Sequence, residues 1–443
     1  MLILLSLVIL QIIRDKNIQK NKLTSKMGTK FIYLFTVYSY FASFFLVGCG
    51  NDKEDIPVLN SNITVSLNID DVNSSSSLLC NIEIQVTETG NMELEEKGVC
   101  YSKTNELPTV SDPKETSSEG AFKSFSLEVK GLESLTSYYL RPFVKTKDKV
   151  FYGYAQQIKT LGGTAEYYPV SKDSEIPMID GYKLAWSDEF NANGKPSKDW
   201  SYENGFMRNE ELQWYQPDNA NIKNGCLILE GRKEKVTNPN FIPGSSDWKT
   251  NRNVAEYTSS SINTSKSHSF KYGRFEIRAK LPVSQGAWPA IWLLGNQWEW
   301  PLSGEIDILE LYLVSNRPNI LANACWGSSE PWTPIWNRKN FTLSSFEGKD
   351  KNWADKFHIW RMDWDSDFIR IYLDDDLLNE IDLKTTQNQG WNGNFENPFS
   401  NDVENFGCYI LLNLAIGSNA GTPDDSTFPL RYKVDYVRVY QKK

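Results

Sequence analysis

Histidine is nearly missing from these 443 residues: only His268 and His358 occur. That scarcity nearly excludes a multi-histidine zinc site and leaves any Ser-His-Asp triad just two side chains to draw on. His358 lies in the apolar run Lys356-Phe357-His358-Ile359-Trp360 and reads as structural, while His268 sits in a Ser/Lys-rich stretch and reads as a loop residue. A basic excess is also lacking. The net charge is -9, which argues against nucleic acid, since that partner needs a basic face. As an ordinary solubility charge it says little about substrate. None of the six cysteines (Cys49, Cys80, Cys100, Cys226, Cys325, Cys408) falls in a C-x-x-C pair, so zinc ribbons and thioredoxin-like redox chemistry are not expected. Cys80 and Cys100 are the only pair inside one candidate domain, and the sequence leaves open whether they bond. From Gly181 to the end, no apolar stripe at helical spacing runs for a useful length.

Aromatic residues are abundant, at 13% of the chain, and they favour strands. The length exceeds one ordinary core, so two or three domains are expected. The first, 1–48, reads as a signal region. Lys30 precedes an apolar run from Phe31 to Gly48, and Leu46-Val47-Gly48-Cys49 then gives way to polar Gly50-Asn51-Asp52-Lys53-Glu54-Asp55. A charged start, an apolar core and small residues at a cut site make a signal peptide; the alternative is a plain membrane-spanning helix. Met1 to Ile13 is too short to span, and Met27 is the natural start of the signal. Residues 49–56 read as a tether. Residues 57–161 carry short alternating strands such as Ile63–Ile69 and Phe125–Val129 separated by turn residues, the pattern of a small antiparallel sandwich, and Leu132-x-x-x-Thr136-x-Tyr138 matches a tyrosine corner. Residues 162–180 are polar with scattered Gly and Pro, a linker. From 181 to 443 the chain is strand-rich again: apolar and charged residues alternate in Tyr272–Leu281, and Lys433–Tyr440 closes the chain. The fold class is therefore all-β, a two-sheet sandwich with a groove on one face, preceded by a smaller sandwich.

Within the large region, Gly304-Glu305-Ile306-Asp307-Ile308-Leu309-Glu310 says most. On a strand, side chains alternate between faces, so Glu305 and Asp307 share one face and Ile306 and Ile308 the other. Glu310 falls on the wrong face of a regular strand. A one-residue bulge near Ile308–Leu309 would bring it back. Three acids would then line one surface, and paired carboxylates at fixed separation are the equipment for cleaving a glycosidic bond. Trp288, Trp292, Trp300, Trp326 and Trp332 crowd the same stretch of sequence. Aromatic faces pack on the apolar faces of pyranose rings, and core packing is the alternative for each.

The ordered motifs of the large region are Leu184-Ala185-Trp186-Ser187-Asp188-Glu189-Phe190, Tyr272-Gly273-Arg274, Trp288–Leu294, Gly304–Glu310, Leu412–Gly417 and Val434–Tyr440. Together they resemble glycoside hydrolase family 16, the laminarinase-like enzymes. The resemblance implies a β-jelly roll with a concave sugar-binding cleft. It places the nucleophile at Glu305, the helper acid at Asp307 and the acid/base at Glu310, with carboxylates roughly 5–6 Å apart as in retaining enzymes. It also implies substrate contacts at Asn209, Trp288, Trp292, Trp300 and Trp326, with Trp300 the best stacking candidate. No catalytic cofactor is implied, but a structural Ca²⁺ held through Glu189 and Asp435 is. Residues 57–161 resemble fibronectin type III-like modules, which implies a spacer. The lipobox-like ending at Cys49 and the acids behind it resemble Bacteroidetes surface lipoproteins, which implies acylation of Cys49 and an outer-membrane location at the cell surface. A monomer with a polysaccharide substrate is expected.

Two positions depart from the family pattern. Cys325 stands where a histidine is common, and Asn209-Glu210-Glu211-Leu212-Gln213 has Glu210 where an asparagine is common. A thiol is a weak hydrogen-bonding group beside imidazole, and a charged Glu210 at the cleft would disfavour sulfate or carboxylate. A neutral β-linked glycan is therefore expected, β-1,3-glucan or mixed-linkage β-glucan first and galactose-containing chains second. A non-catalytic glycan-binding lipoprotein is the alternative of another class.

Overall fold

Alternation of apolar and charged residues along Gly273–Lys280 buries Phe275, Ile277 and Ala279 completely and leaves Arg274, Glu276 and Lys280 half-buried, as a strand with one face on a core requires. The same logic repeats through the chain. The structure, a computed structural model, describes residues 63–71, 75–86, 93–118, 122–170 and 174–443. Cys49 and the apolar run before it lie outside the described residues. Among the described residues the one α-helix is Leu343–Glu347, and the fold is all-β.

The first sandwich packs a sheet of Ile63–Asp71, Leu78–Val86 and Phe125–Val129 against one built from Lys114–Thr116, Leu94–Ser102, Ser137–Thr146 and Val150–Tyr152, with Gln156–Lys159 also on Ser137–Thr146. Val65, Leu78 and Ile82 from one sheet meet Val99, Leu140 and Val144 from the other in a single core. The tyrosine corner forms: the Tyr138 hydroxyl accepts from the Glu133 amide at 3.1 Å. Cys80 and Cys100 are both buried and both free.

The larger sandwich places seven strands in the order Ser201–Tyr202, Ser261–Asn263, Cys408–Ile416, Ala287–Gly295, Glu305–Val314, Arg317–Gly327, Pro334–Thr342. An eight-stranded sheet backs it, centred on Leu430–Lys442 and Gly273–Lys280. One large core fills the space between, with Ile291, Ile306, Ile308 and Leu412 from the first sheet and Phe275, Ile277, Trp360 and Val437 from the second. All the acids of interest sit on the other, solvent-facing side of the seven-stranded sheet.

The expected linker is tied down. The Arg278 guanidinium donates to the carbonyls of Tyr168 (2.7 Å) and Ala165 (2.9 Å), and the Phe357 amide donates to the Glu166 carbonyl (2.7 Å). A polar segment docks here because its carbonyls complete the hydrogen bonding of a nearly buried arginine.

Candidate active site

The bulge forms where the face-matching argument requires it. Asp307 pairs with Asn323 and Glu310 with Leu321, so three steps on one strand match two on its neighbour. On the other side Ile291 pairs with Leu309 and Trp292 with Asp307, which leaves Ile308 as the extra residue. Ile306, Ile308 and Leu309 are fully buried in the core. Two consecutive residues thus point inward, and Glu310 returns to the face of Glu305 and Asp307. Gly304 starts the strand at φ +73, and a Cβ there would lie 2.7 Å from a Phe399 ring carbon. Only glycine meets both constraints.

Each acid has its own donors. The Trp300 indole N–H donates to Glu305 at 2.7 Å, and the Trp288 indole N–H donates to Glu310 at 3.1 Å. The Asn323 amide divides its donors between Asp307 (3.3 Å) and Glu310 (3.2 Å). Burial lifts all three carboxyls, and the causes that follow separate them. Glu310 is pushed up to about 8 by burial first and by the Glu305 charge second. Asp307, only 1% exposed, is held well above the carboxylate range by burial and then by both glutamates. Glu305 is raised by burial but drawn back by the hydrogen bonds from Trp300 and Asp307 and by the charges of Arg208 and Arg338. Glu305 is therefore the most readily ionised of the three, and Glu310, at about 8, keeps its proton near neutrality. Environment has given like residues different protonation states, the arrangement acid–nucleophile chemistry needs.

The three acids open into a cleft of about 530 Å³, whose lining includes Asn209, Trp288, Trp292 and Trp300. Trp326 does not join them. It is 6% exposed and belongs to the core between the sheets, because it is one residue past Cys325 and so on the opposite face. Cys325 itself does not line the cleft. It is fully buried, pairs across the sheet with Glu305 and shares the Trp300 indole N–H, so it acts behind Glu305 and not on a sugar hydroxyl. Trp332 is exposed and packs on Trp391 at 4.9 Å.

Glu210 is likewise displaced from its expected role. Asn209 and Glu210 take consecutive left-handed conformations (φ 56 and 52). Glu210 is exposed outside the cleft lining, and the turn sends Glu211 inward. Glu211 accepts from Gln213 (2.7 Å) and from the Tyr215 hydroxyl (3.3 Å); that hydroxyl accepts in turn from Asn413, whose amide oxygen holds the Trp292 indole N–H at 2.7 Å. Contrary to expectation, Glu210 is not placed to repel anionic sugars in the cleft. Two arginines, Arg208 and Arg338, line the cleft instead. Sequence reasoning missed both, along with Tyr312, Trp336 and Asn419. Arg208 stood one residue before the Asn209 motif. Arg338 stood in Asn337-Arg338-Lys339-Asn340, where nothing local marks a cleft.

The residues suggested for calcium do not fit that role. Both oxygens of Glu189 accept from the Arg438 guanidinium (3.0 and 2.7 Å), and Asp435 accepts from Arg278 at 2.6 Å and from the Val170 amide. Each carboxylate already meets a cation, so neither supplies the open oxygen donors that Ca²⁺ takes. Among the described residues no cluster of three or more acidic, cysteine or histidine side chains could hold a metal. His358 is structural: its ring bonds Asp374 (3.0 Å) and the Trp353 carbonyl (2.9 Å).

Known proteins share this frame. Residues 212–403 match the model of the family described as Glycosyl hydrolases family 16. A Beta-glucanase of Rhodothermus marinus is 31% identical over 277 residues, covering 59% of this chain and 85% of that protein. The chain belongs to glycoside hydrolase family 16. A Glucan endo-1,3-beta-glucosidase A1 of Niallia circulans is 30% identical over 60% of this chain, which spans 39% of that relative's length. A solved structure described under "Prominent members of the human gut microbiota express endo-acting O-glycanases to initiate mucin breakdown" is 36% identical, with a TM-score of 0.53, over 61% of this chain and 94% of that one. As a family 16 glycoside hydrolase the chain needs no catalytic cofactor.

Proposed function

We propose that the cleft hydrolyses a β-linked polysaccharide internally and with retention of configuration, Glu305 acting as nucleophile, Glu310 as acid/base and Asp307 as the helper that shares a proton with Glu305. The observation that carries this reading is the bulged strand that gathers three acids on one face and leaves them in different protonation states. Ionised Glu305, oriented by the Trp300 indole, attacks the anomeric carbon. Protonated Glu310 gives its proton to the leaving oxygen. With the aglycone gone, Glu310 takes a proton from water, which then attacks the glycosyl ester at Glu305. The proton on Asp307 donates to Glu305 when that ester is cleaved and the carboxylate returns.

The substrate proposed first is β-1,3-glucan or mixed-linkage β-glucan, supported by the names of the two relatives. A galactose-containing glycan such as a mucin O-glycan is the second reading, supported by the 36% identity to the O-glycanase structure. Sugar release from laminarin, mixed-linkage glucan, galactans and mucin glycans chooses between them. Proton NMR of the first-formed anomer tests the mechanism: a β product is expected, and an initial α product overturns the double displacement. Failure to release sugar from any polymer would favour a glycan-binding lipoprotein.

For the rest of the chain we propose a signal region over 1–48, a lipidated Cys49 with a tether to residue 56, and a fibronectin type III-like spacer over 57–161. The linker over 162–180 then leads to the catalytic domain over 181–443. The lipobox-like sequence supports anchoring of a monomer at the outer-membrane surface.

A further inference from the structure

Arg338 lines the cleft with the acids, and the sheet register explains how it gets there. Asp307 pairs with Asn323, and Asn323 pairs with Arg338 on the next strand. The three residues form one row across the same face, which puts the Arg338 backbone about 10 Å from that of Asp307 at ordinary strand spacing. That is the span of roughly two sugar units. The Arg338 guanidinium lies 4.4 Å from the centroid of the Trp336 ring. Among the described residues no carboxylate forms an ion pair with it and no side chain hydrogen-bonds it. The other arginine of the cleft is different: Arg208 is bonded to Glu203 and packs over Trp292 at 5.0 Å. Arg208 gives one nitrogen to Glu203 and keeps a buried Nη1 without a partner among the described residues, whereas the whole Arg338 guanidinium is unpaired among them in the cleft lining.

A guanidinium held over an indole gives up less conformational freedom when it binds. Its forked N–H donors match the oxygens of a carboxylate or sulfate. A neutral sugar needs neither the fork nor the charge. We propose that Arg338, supported by Trp336, forms an anion-binding subsite, so that a glycan carrying a sulfate ester or a carboxylate on the sugar that passes over it gains a contact that its neutral counterpart lacks. The proposal rests on the glycanase reading for the path of the chain, but not on which backbone is cut. The alternative is that Arg338 serves only to lower the charge around Glu305 and Glu310, on which its field acts.

Binding separates these, since it can be measured without turnover. The full mature chain carrying Glu305→Gln is titrated calorimetrically with keratan oligosaccharides with and without 6-sulfate. It is also titrated with laminarin oligosaccharides with and without oxidation of C6 to the carboxylate. A charged form is expected to bind about 10-fold or more tighter than its neutral twin, the scale of one charge-assisted hydrogen-bond pair. Adding Arg338→Met should collapse that ratio towards one, with Arg338→Lys keeping part of it. Preference within the keratan pair identifies sulfate as the ligand, and preference within the laminarin pair identifies carboxylate. Equal binding of charged and neutral twins, or a ratio unchanged by Arg338→Met, overturns the proposal. If the ratio behaves as expected while the wild type cuts none of these chains, the subsite stands and the hydrolytic reading falls.

Discussion

At Glu310, burial and the Glu305 charge hold a proton that an exposed glutamate would lose. The pH dependence follows from that direction. Turnover should fall above about pH 8 as Glu310 loses the proton it must donate, and fall again in acid as Glu305 becomes protonated, giving a bell-shaped kcat/KM profile. Stability carries the opposite lesson. A carboxyl raised from 4.5 to about 8 contributes fully below its unfolded value, and that contribution drains away as pH rises through the folded one. Glu310→Gln should therefore melt higher than the wild type at pH 8, with the gap closing towards pH 4.5, while turnover drops on the order of 10³-fold or more. Thermal scans across pH check the first and initial rates the second. Glu305→Gln should be equally inactive. Asp307→Asn should lose less, because Asp307 tunes Glu305 and forms no bond to sugar. Wild-type rates in either glutamate variant would remove the assignment.

The catalytic strand depends on its start and on its bulge. Gly304→Ala would place a Cβ against Phe399 and Pro398 at a positive φ, a strain of about 1–3 kcal/mol. The melting temperature should drop by several degrees, and kcat should fall with it because Glu305 is the next residue. A kcat loss without a change in melting would show that the glycine serves only the site. The linker docked after the first sandwich, a strap held by Arg278, is a separate case. Arg278 and Asp435 are 9% and 1% exposed as a pair, and burial lifts the Asp435 carboxyl despite the arginine. Arg278→Met leaves that acid without its cation and frees the carbonyls of Ala165 and Tyr168. The expected cost is about 3 kcal/mol, read in denaturant midpoints, with little effect on the cleft on the opposite sheet. Motif spacing made the bulge legible, because three acids could share a face only if one residue were extra. The strap was not legible: a Gly- and Pro-bearing polar stretch has the same composition whether or not an arginine 110 residues later collects its carbonyls.

Across the whole molecule, the described residues form two sandwiches built on one alternation rule. Among them, no helix is long and apolar enough to cross a membrane, and the anchoring proposed at Cys49 has its own test. Cys49→Ala is expected to move the protein from the membrane fraction to the soluble one and to abolish labelling by a clickable fatty acid. Unchanged fractionation with an uncleaved apolar run would support a spanning helix instead.

The sequence by itself determined the fold class, the two-sandwich order and the three acids, because strand periodicity and the E-x-D-x-x-E spacing are local and survive without a third dimension. Tertiary structure decided what surrounds those acids. Trp326 and Cys325 are neighbours in sequence, yet Trp326 packs between the sheets while Cys325 is buried behind Glu305, since one residue of strand register separates the two faces of the sheet. Glu210 and Glu211 trade places because Asn209 and Glu210, both left-handed, turn the chain just before Glu211. Glu189 and Asp435, which resemble metal ligands in one dimension, meet arginines from distant strands. Arg338 reaches the catalytic face only through two successive strand pairings, so no window of sequence around it could have announced the charge it brings to the cleft.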